Sequence, residues 1–354
     1  MKIVLCGLSI TSSWGNGHAT NYRALVRGLT ARGHEVLFLE RDMPWYASQR
    51  DLPEPPWGRT ELYGSLQELE RFAGDVAAAD LVVIGSYVPE GVAVAEWVLD
   101  RASGAVAFYD IDTPVTLAKL RRGDPEYLSP ALVGRFDLYL SFTGGPTLQV
   151  LEEEFGARRA LAFYCLVDPD AYRPLQETPY WDLGYLGTYS DDRQPVLERL
   201  LIEPARLLPD GDFAVAGPQY PEEIEWPENV ERIEHVAPND HPRFYASQRF
   251  TLNVTRAQMR EAGWSPSVRL FEAAACAVPV ISDRWEGLDQ IFTPGEEILI
   301  ADSAEDVLRY LTETGEDKRL ALGERARARV LAEHTAERRC EQLEQEVAEA
   351  AGAR

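Results

Sequence analysis

The segment Ser265-Pro-Ser-Val-Arg-Leu-Phe-Glu272 has the residue types and spacing of an anion seat. Ser265 is a natural N-cap and Pro266 a natural first helical residue. The helix expected from Ser267 to Cys276 buries Leu270, Phe271 and Ala274. Arg269 and Glu272 stand three apart and share its other face. The first N–H groups of a helix lack intrahelical partners, so the backbone at Ser267 and Val268 can receive a diphosphate. Arg269 can add charge-assisted bonds to phosphate oxygens. A surface Arg–Glu pair on an ordinary capped helix fits the same spacing, and would be worth only about a few tenths of a kcal/mol.

Three other segments carry candidate chemistry. In Gly184-Tyr-Leu-Gly187-Thr-Tyr-Ser-Asp-Asp-Arg193, Gly187 permits close backbone approach. Arg193 opens a helix, where a cation opposes the dipole; an anionic ligand would account for it, as would simple solvation. Val236, in His235-Val-Ala-Pro238, follows a strand and is placed for backbone contact with a nucleobase. The loop Gly7–His18 contains Gly15-Asn-Gly-His18. It lacks the third glycine of a dinucleotide fingerprint, although Glu40 after the second strand mimics that fold's ribose-binding carboxylate. Gly15, Asn16 and Gly17 beside His18 suit a site that receives a sugar; a plain turn with a solvent-facing His18 is the alternative. Finally, Asp110 and Asp112 in Tyr109-Asp-Ile-Asp-Thr-Pro114 follow a strand end. Asp112 could bond hydroxyls or act as a base, and the pair could bind a divalent cation. Capping by Asp112 or Thr113 ahead of Pro114 fits equally.

The elements that position these segments alternate. Strand-like runs lie at Ile3–Cys6, Glu35–Leu39, Leu81–Ile84, Ala105–Tyr109 and Leu138–Ser141, with helical patterns between them. Continuous apolar runs alternating with helices imply a doubly wound parallel sheet. Asp51–Arg59 reads as a surface loop. Pro169, Pro174 and Pro179 break the chain over Val167–Pro179, which reads as a linker. The alternation then resumes, with strands expected at Leu183–Thr188, Asp212–Ala216, Val230–His235, Phe250–Val254, Pro279–Ser282 and Ile298–Ile300. From Asp317 the chain reads as one or two long helices. The expected domains are residues 1–170, 171–330 and a C-terminal helix at 331–354. Two doubly wound domains would face a central cleft, where ligands bind at the carboxyl ends of strands.

Composition removes several function classes. A net charge of −23 opposes binding to nucleic acid. No apolar run is long enough to span a membrane, and the N-terminus lacks the apolar core of a signal peptide. The four scattered cysteines form no C-x-x-C and suit a reducing, cytoplasmic compartment. There is no P-loop and no G-x-S-x-G elbow. The five histidines show no metal-ligand spacing.

Ser267-Val-Arg-Leu-Phe-Glu-Ala-Ala-Ala-Cys-Ala-Val-Pro-Val-Ile-Ser282 resembles the donor-site signature of GT-B glycosyltransferases. Together with Asp110–Pro114, Gly187–Arg193 and Trp285-Glu-Gly-Leu-Asp-Gln-Ile-Phe-Thr-Pro-Gly295, it resembles the spore-maturation-protein-like group in particular. The resemblance implies two Rossmann-like domains, an N-terminal one for the acceptor and a C-terminal one for a nucleoside-diphosphate sugar. It implies ribose binding by Glu272, diphosphate binding by Ser267 and Arg269, no cofactor and no metal. The final helix would cross back onto the first domain. Trp264 stands where many retaining members carry the first Glu of an E-x7-E motif, and the usual Arg-plus-Lys phosphate pair is reduced to Arg193. The implied activity is sugar transfer to a small-molecule or glycan acceptor, retaining in preference to inverting. A front-face retaining reaction needs no side-chain base, whereas an inverting one could use Asp112 or His18. A sugar-nucleotide epimerase or phosphorylase, or an inactive nucleotide-sugar-binding protein, remain the other readings.

Overall fold

The computed structural model describes residues 1–352. The chain divides into two compact units, Met1–Leu166 with the helix Ala336–Gly352, and Val167–Thr335. The last two residues of the expected C-terminal helix lie outside the described residues.

The first unit is built on a seven-stranded sheet: β1 (Lys2–Gly7), β2 (Glu35–Arg41), β3 (Arg59–Tyr63), β4 (Leu81–Gly85), β5 (Ala105–Asp110), β6 (Leu138–Ser141) and β7 (Ala160–Ala162). Their order is β3-β2-β1-β4-β5-β6-β7, all parallel. Ile3 pairs with Val36 on one side and Leu81 on the other, so β1 is enclosed by neighbours. The order reverses between β1 and β4, and the loops leaving these two strands therefore meet at one edge. Sequence periodicity finds the five inner strands. It misses β3 and β7 at the sheet edges, which need less apolar surface than central strands. The segment expected as a loop at Asp51–Arg59 accordingly ends in β3.

The second unit holds six parallel strands, β8 (Trp181–Leu186), β9 (Phe213–Ala216), β10 (Val230–Ile233), β11 (Gln248–Asn253), β12 (Val280–Ser282) and β13 (Leu299–Ile300). Their order is β10-β9-β8-β11-β12-β13, with the reversal between β8 and β11. All six expected strands are present, with ends shifted by a few residues.

The helix Ala336–Gly352 lies on His18–Ala31. A Cβ at Gly28 would stand 2.9 Å from Cys340 Sγ, so glycine lets the helices close. Glu344 accepts from Arg32 Nε and Nη2 at 2.6 and 2.8 Å, and lies 2.7 Å from His34 Nε2. The Arg32 guanidinium holds the Glu344 carboxyl down at about 2.

In the second unit, helix Glu316–Glu333 packs on Val268–Ala275. Gly323 makes the approach possible, because a Cβ there would lie 2.0 Å from the Ala277 carbonyl oxygen. Ala277 itself sits at φ 58°, so its carbonyl cannot readily turn away. Gly323→Ala should therefore destabilise the fold by about 1–3 kcal/mol, the usual cost of overpacking. A lower urea midpoint checks this; an unchanged midpoint would mean the two helices are not seated this closely.

Candidate functional site

The switch point of the second unit gathers most residues of the expected anion seat. Helix Val268–Ala275 begins one residue later than its spacing suggests. Ser267, not Ser265, is its N-cap, with extended backbone at φ −80° and ψ 152°. The Ser267 side chain makes no capping bond. Its Oγ donates instead to Asn253 Oδ1 at 2.8 Å, at the end of β11. The first N–H groups of the helix are thus left without a side-chain cap.

Arg269 is not a surface residue and does not pair with Glu272. It is 8 % exposed, so it needs specific partners. Nε donates to Leu186 O at 2.5 Å and Nη1 to Asn253 Oδ1 at 3.0 Å. Its guanidinium carbon lies 4.8 Å from the Tyr185 ring centre. A Cβ at Gly187 would meet Tyr185 Oη at 2.6 Å and Arg269 Nη2 at 2.9 Å. Gly187 is therefore small because Arg269 occupies the space beside it.

Arg193 also differs from a solvated cation. Its Nη2 donates back to Thr188 O at 2.6 Å, and its Nε is buried without a hydrogen-bond partner among the described residues.

Glu272 lies on the buried side of the same helix. Its Oε2 accepts from Tyr245 Oη at 3.1 Å. His241 Nδ1 is 3.9 Å from that oxygen. Tyr172 Oη lies 3.2 Å from the same His241 nitrogen, and His241 Nε2 is 3.2 Å from Val236 O. Burial lowers the His241 pKa, which favours the neutral ring. A neutral ring can donate from Nε2 to Val236 O while Nδ1 accepts from Tyr172. His241, which sequence spacing did not single out, thus sits between Val236 O and the Glu272 carboxylate, bonded to the first and only near the second.

Trp264 is held in place rather than left at the surface. It has φ 42°, its N donates to Glu286 O at 2.6 Å, and its Nε1 donates to Gln290 Oε1 at 2.9 Å. A Cβ at Gly287 would stand 2.4 Å from the indole. The position is locked against the segment Glu286–Gln290.

In the first unit the switch point brings His18 and Asp112 to one residue, Tyr87, which follows β4. Tyr87 Oη donates to Asp112 Oδ2 at 2.9 Å, and its ring centre lies 5.6 Å from that of His18. Tyr87 has φ 64°, a conformation a tyrosine adopts only under constraint. Lys119 Nζ sits 5.8 Å from the Tyr87 ring and 5.4 Å from the Tyr127 ring. Asp112 is the N-cap residue of helix Thr113–Arg122, but its side chain makes no capping bond.

Asp110 is fully buried. Its Oδ2 accepts from Tyr139 Oη at 2.5 Å, and its Oδ1 from Thr116 Oγ1 at 2.8 Å and Asp112 N at 3.3 Å. Both oxygens are engaged, so Asp110 and Asp112 do not form an open cation seat. Among the described residues no group of three or more His, Cys, Asp or Glu is arranged to hold a metal.

The remaining loop residues have mainly structural partners. Glu40 accepts from Ser9 Oγ, Ile10 N, Thr11 N and Thr11 Oγ1 at 2.6–3.0 Å, so its carboxylate ties down the loop after β1 and is closed to a ribose. Asn16 donates to Ser9 O and Ser12 O and accepts from His18 N. Gly15 has φ 58°, while Gly17 is helical at φ −63°; nothing lies within 4 Å of a Cβ at either. The room beside both glycines is therefore open.

Comparison with known proteins agrees with this architecture. Residues 193–345 match the family described as glycosyl transferase-like. A search among curated proteins finds no match. Sucrose-phosphate synthase from Thermosynechococcus elongatus superposes with a TM-score of 0.69 at 15 % identity, over 99 % of each chain. Anabaena HepE in complex with UDP and glucose gives 0.72 at 15 % identity, over 98 % of this chain and 99 % of that one. An alpha-glucosyltransferase in complex with UDP-glucose and DNA gives 0.67 at 15 % identity, over 98 % of each. The chain thus has the GT-B fold of two Rossmann-like units.

Proposed function

We propose that this protein is a glycosyltransferase that moves a sugar from a UDP-sugar to a hydroxyl of a small-molecule or glycan acceptor. The observation that carries the proposal is the uncapped start of helix Val268–Ala275, with Arg269 buried beside it against Gly187. In this reading the backbone at Ser267 and Val268 and the Arg269 guanidinium hold the diphosphate, with Arg193 adding charge. Glu272, held by Tyr245, accepts from the ribose hydroxyls. Val236 and Gly187 contact the nucleotide through their backbone. In the first unit, Gly15, Asn16 and Gly17 line the acceptor, and His18 and Asp112 contact its hydroxyl.

In the reaction the anomeric C–O bond to the β-phosphate breaks and its electron pair leaves with UDP. A new anomeric C–O bond forms to the acceptor oxygen. On a retaining, front-face course, the acceptor proton passes to the departing phosphate oxygen. The Arg and helix-dipole charges stabilise that leaving group without a metal or cofactor. The net charge of −23 disfavours nucleic acid as the acceptor. Four buried free cysteines suit the reducing cytoplasm.

Calorimetry with UDP tests the proposal. The wild-type chain should bind UDP, and Glu272→Ala should weaken it about tenfold, the expected loss for a hydrogen bond to a charged group. Absence of UDP binding, or equal affinity in the variant, would count against this assignment. Release of UDP from UDP-glucose separates a catalyst from a binder.

A further inference from the structure

Asn253 closes β11 and is fully buried. An asparagine amide offers one acceptor oxygen with two lone pairs and two N–H donors. All four are used. Oδ1 accepts from Ser267 Oγ at 2.8 Å and Arg269 Nη1 at 3.0 Å. Nδ2 donates to Ser282 Oγ at 2.9 Å and Thr255 Oγ1 at 3.2 Å.

The orientation of this amide is determined by chemistry. Arg269 can only donate, so it must face the oxygen. On the other side, Ser282 Oγ directs its proton to Asp283 O at 2.9 Å, and Thr255 Oγ1 directs its own to Asp283 Oδ1 at 2.8 Å. Both hydroxyls therefore offer only lone pairs to Nδ2. A carboxylate in place of the amide would turn an oxygen toward those lone pairs.

We propose that Asn253 is the positioning residue of the diphosphate seat, its single amide oxygen fixing both Ser267 and Arg269 so that the helix start stays open to phosphate. This rests on the donor-site reading of the same helix. An N-cap serine ordinarily turns its oxygen onto the N–H of the second or third helical residue. Here Asn253 draws the Ser267 hydroxyl away; the Leu270 N–H turns to Ser267 O at 3.1 Å, and those of Val268 and Arg269 are left for a ligand. The same oxygen orients the guanidinium from the opposite side. Asn253 acts through these two residues and need not touch the ligand.

The test compares UDP with uridine by titration against the full chain, because only UDP has the diphosphate. Asn253→Asp keeps the size and shape of the side chain but loses the donors to Ser282 and Thr255 and adds negative charge. Asn253→Ala releases Ser267 to cap its own helix. Each should lower UDP affinity about tenfold or more, the scale of a charge-assisted contact, while uridine affinity holds. Equal losses for UDP and uridine would mean that Asn253 merely supports the fold, and would overturn the proposal. Unchanged UDP affinity in both variants would overturn it as well. If the wild-type chain itself binds no UDP, the donor-site reading fails first, which is a separate outcome from either.

Discussion

Arg269→Ala should lower turnover of a UDP-sugar by about 10²–10³-fold, the usual loss when one donor to developing negative charge is removed. The side chain has five N–H groups. Nε and Nη1 are anchored on Leu186 O and Asn253 Oδ1, while Nη2 makes no hydrogen bond to the described residues and lies beside Gly187. Anchoring on two sides leaves the third edge of a rigid fork oriented before any ligand arrives. The charge it presents is needed most as the diphosphate departs, so kcat should fall along with UDP affinity. Lysine can supply charge but not the fork, so Arg269→Lys should recover only part of the loss. Removing Arg269 also leaves two buried acceptors with fewer donors, so folding of each variant should be checked by circular dichroism. If folded Arg269→Ala keeps wild-type kcat and UDP affinity, the guanidinium does not face the diphosphate.

The parts of this site legible in the sequence were those adjacent in the chain. Ser267, Arg269 and Glu272 fall within one helix, and a 3.6-residue period finds them together. The inner strands were legible because buried parallel strands are continuously apolar. Tyr87 and Asn253 were not legible, for a common reason. Each stands at or just after the second strand of a switch point, β4 in one sheet and β11 in the other. The partner strand of each switch, β1 or β8, is remote in sequence, so only strand order reveals the meeting. Asn253 lies in Phe250-Thr-Leu-Asn253, which reads as the polar end of a strand. Its four partners come from three different segments. The cap at Ser265 was misplaced because Ser265 and Ser267 both carry an N-cap's hydroxyl, and only the backbone shows which residue leaves the helix. The Arg269–Glu272 spacing was likewise ambiguous between a surface pair and two buried groups, and burial decided it.

Asp110 should make the stability of the first unit depend on pH near neutrality. Burial raises its carboxyl pKa from 3.8 to about 7, against the opposing hydrogen bonds from Tyr139, Thr116 and the Asp112 amide, and the nearby Asp112 charge adds to the rise. A carboxyl whose pKa is higher in the folded state binds its proton more tightly there. Its contribution to stability is complete below the unfolded value near 4, and it is lost as pH rises through the folded value near 7. At about 1.4 kcal/mol per pKa unit, the loss approaches ~4 kcal/mol, of which roughly 2–3 falls between pH 5 and pH 8. Asp110→Asn removes this titration while keeping an oxygen for Thr116 and the Asp112 amide. Asp283, buried and raised to about 6, slopes in the same sense but is present in both proteins and cancels in the comparison. The wild type should therefore lose stability relative to Asp110→Asn from pH 5 to pH 8, read as the change in the difference between their urea unfolding free energies. A difference that stays constant across this range would show that Asp110 does not titrate there. The sign also bears on the candidate site. The neighbouring Asp112 is tied to Tyr87, and two ionised carboxylates separated by one residue would repel each other. Holding Asp110 partly protonated at neutral pH lets it support the Asp112 backbone without adding a second full charge beside the residue assigned to the acceptor.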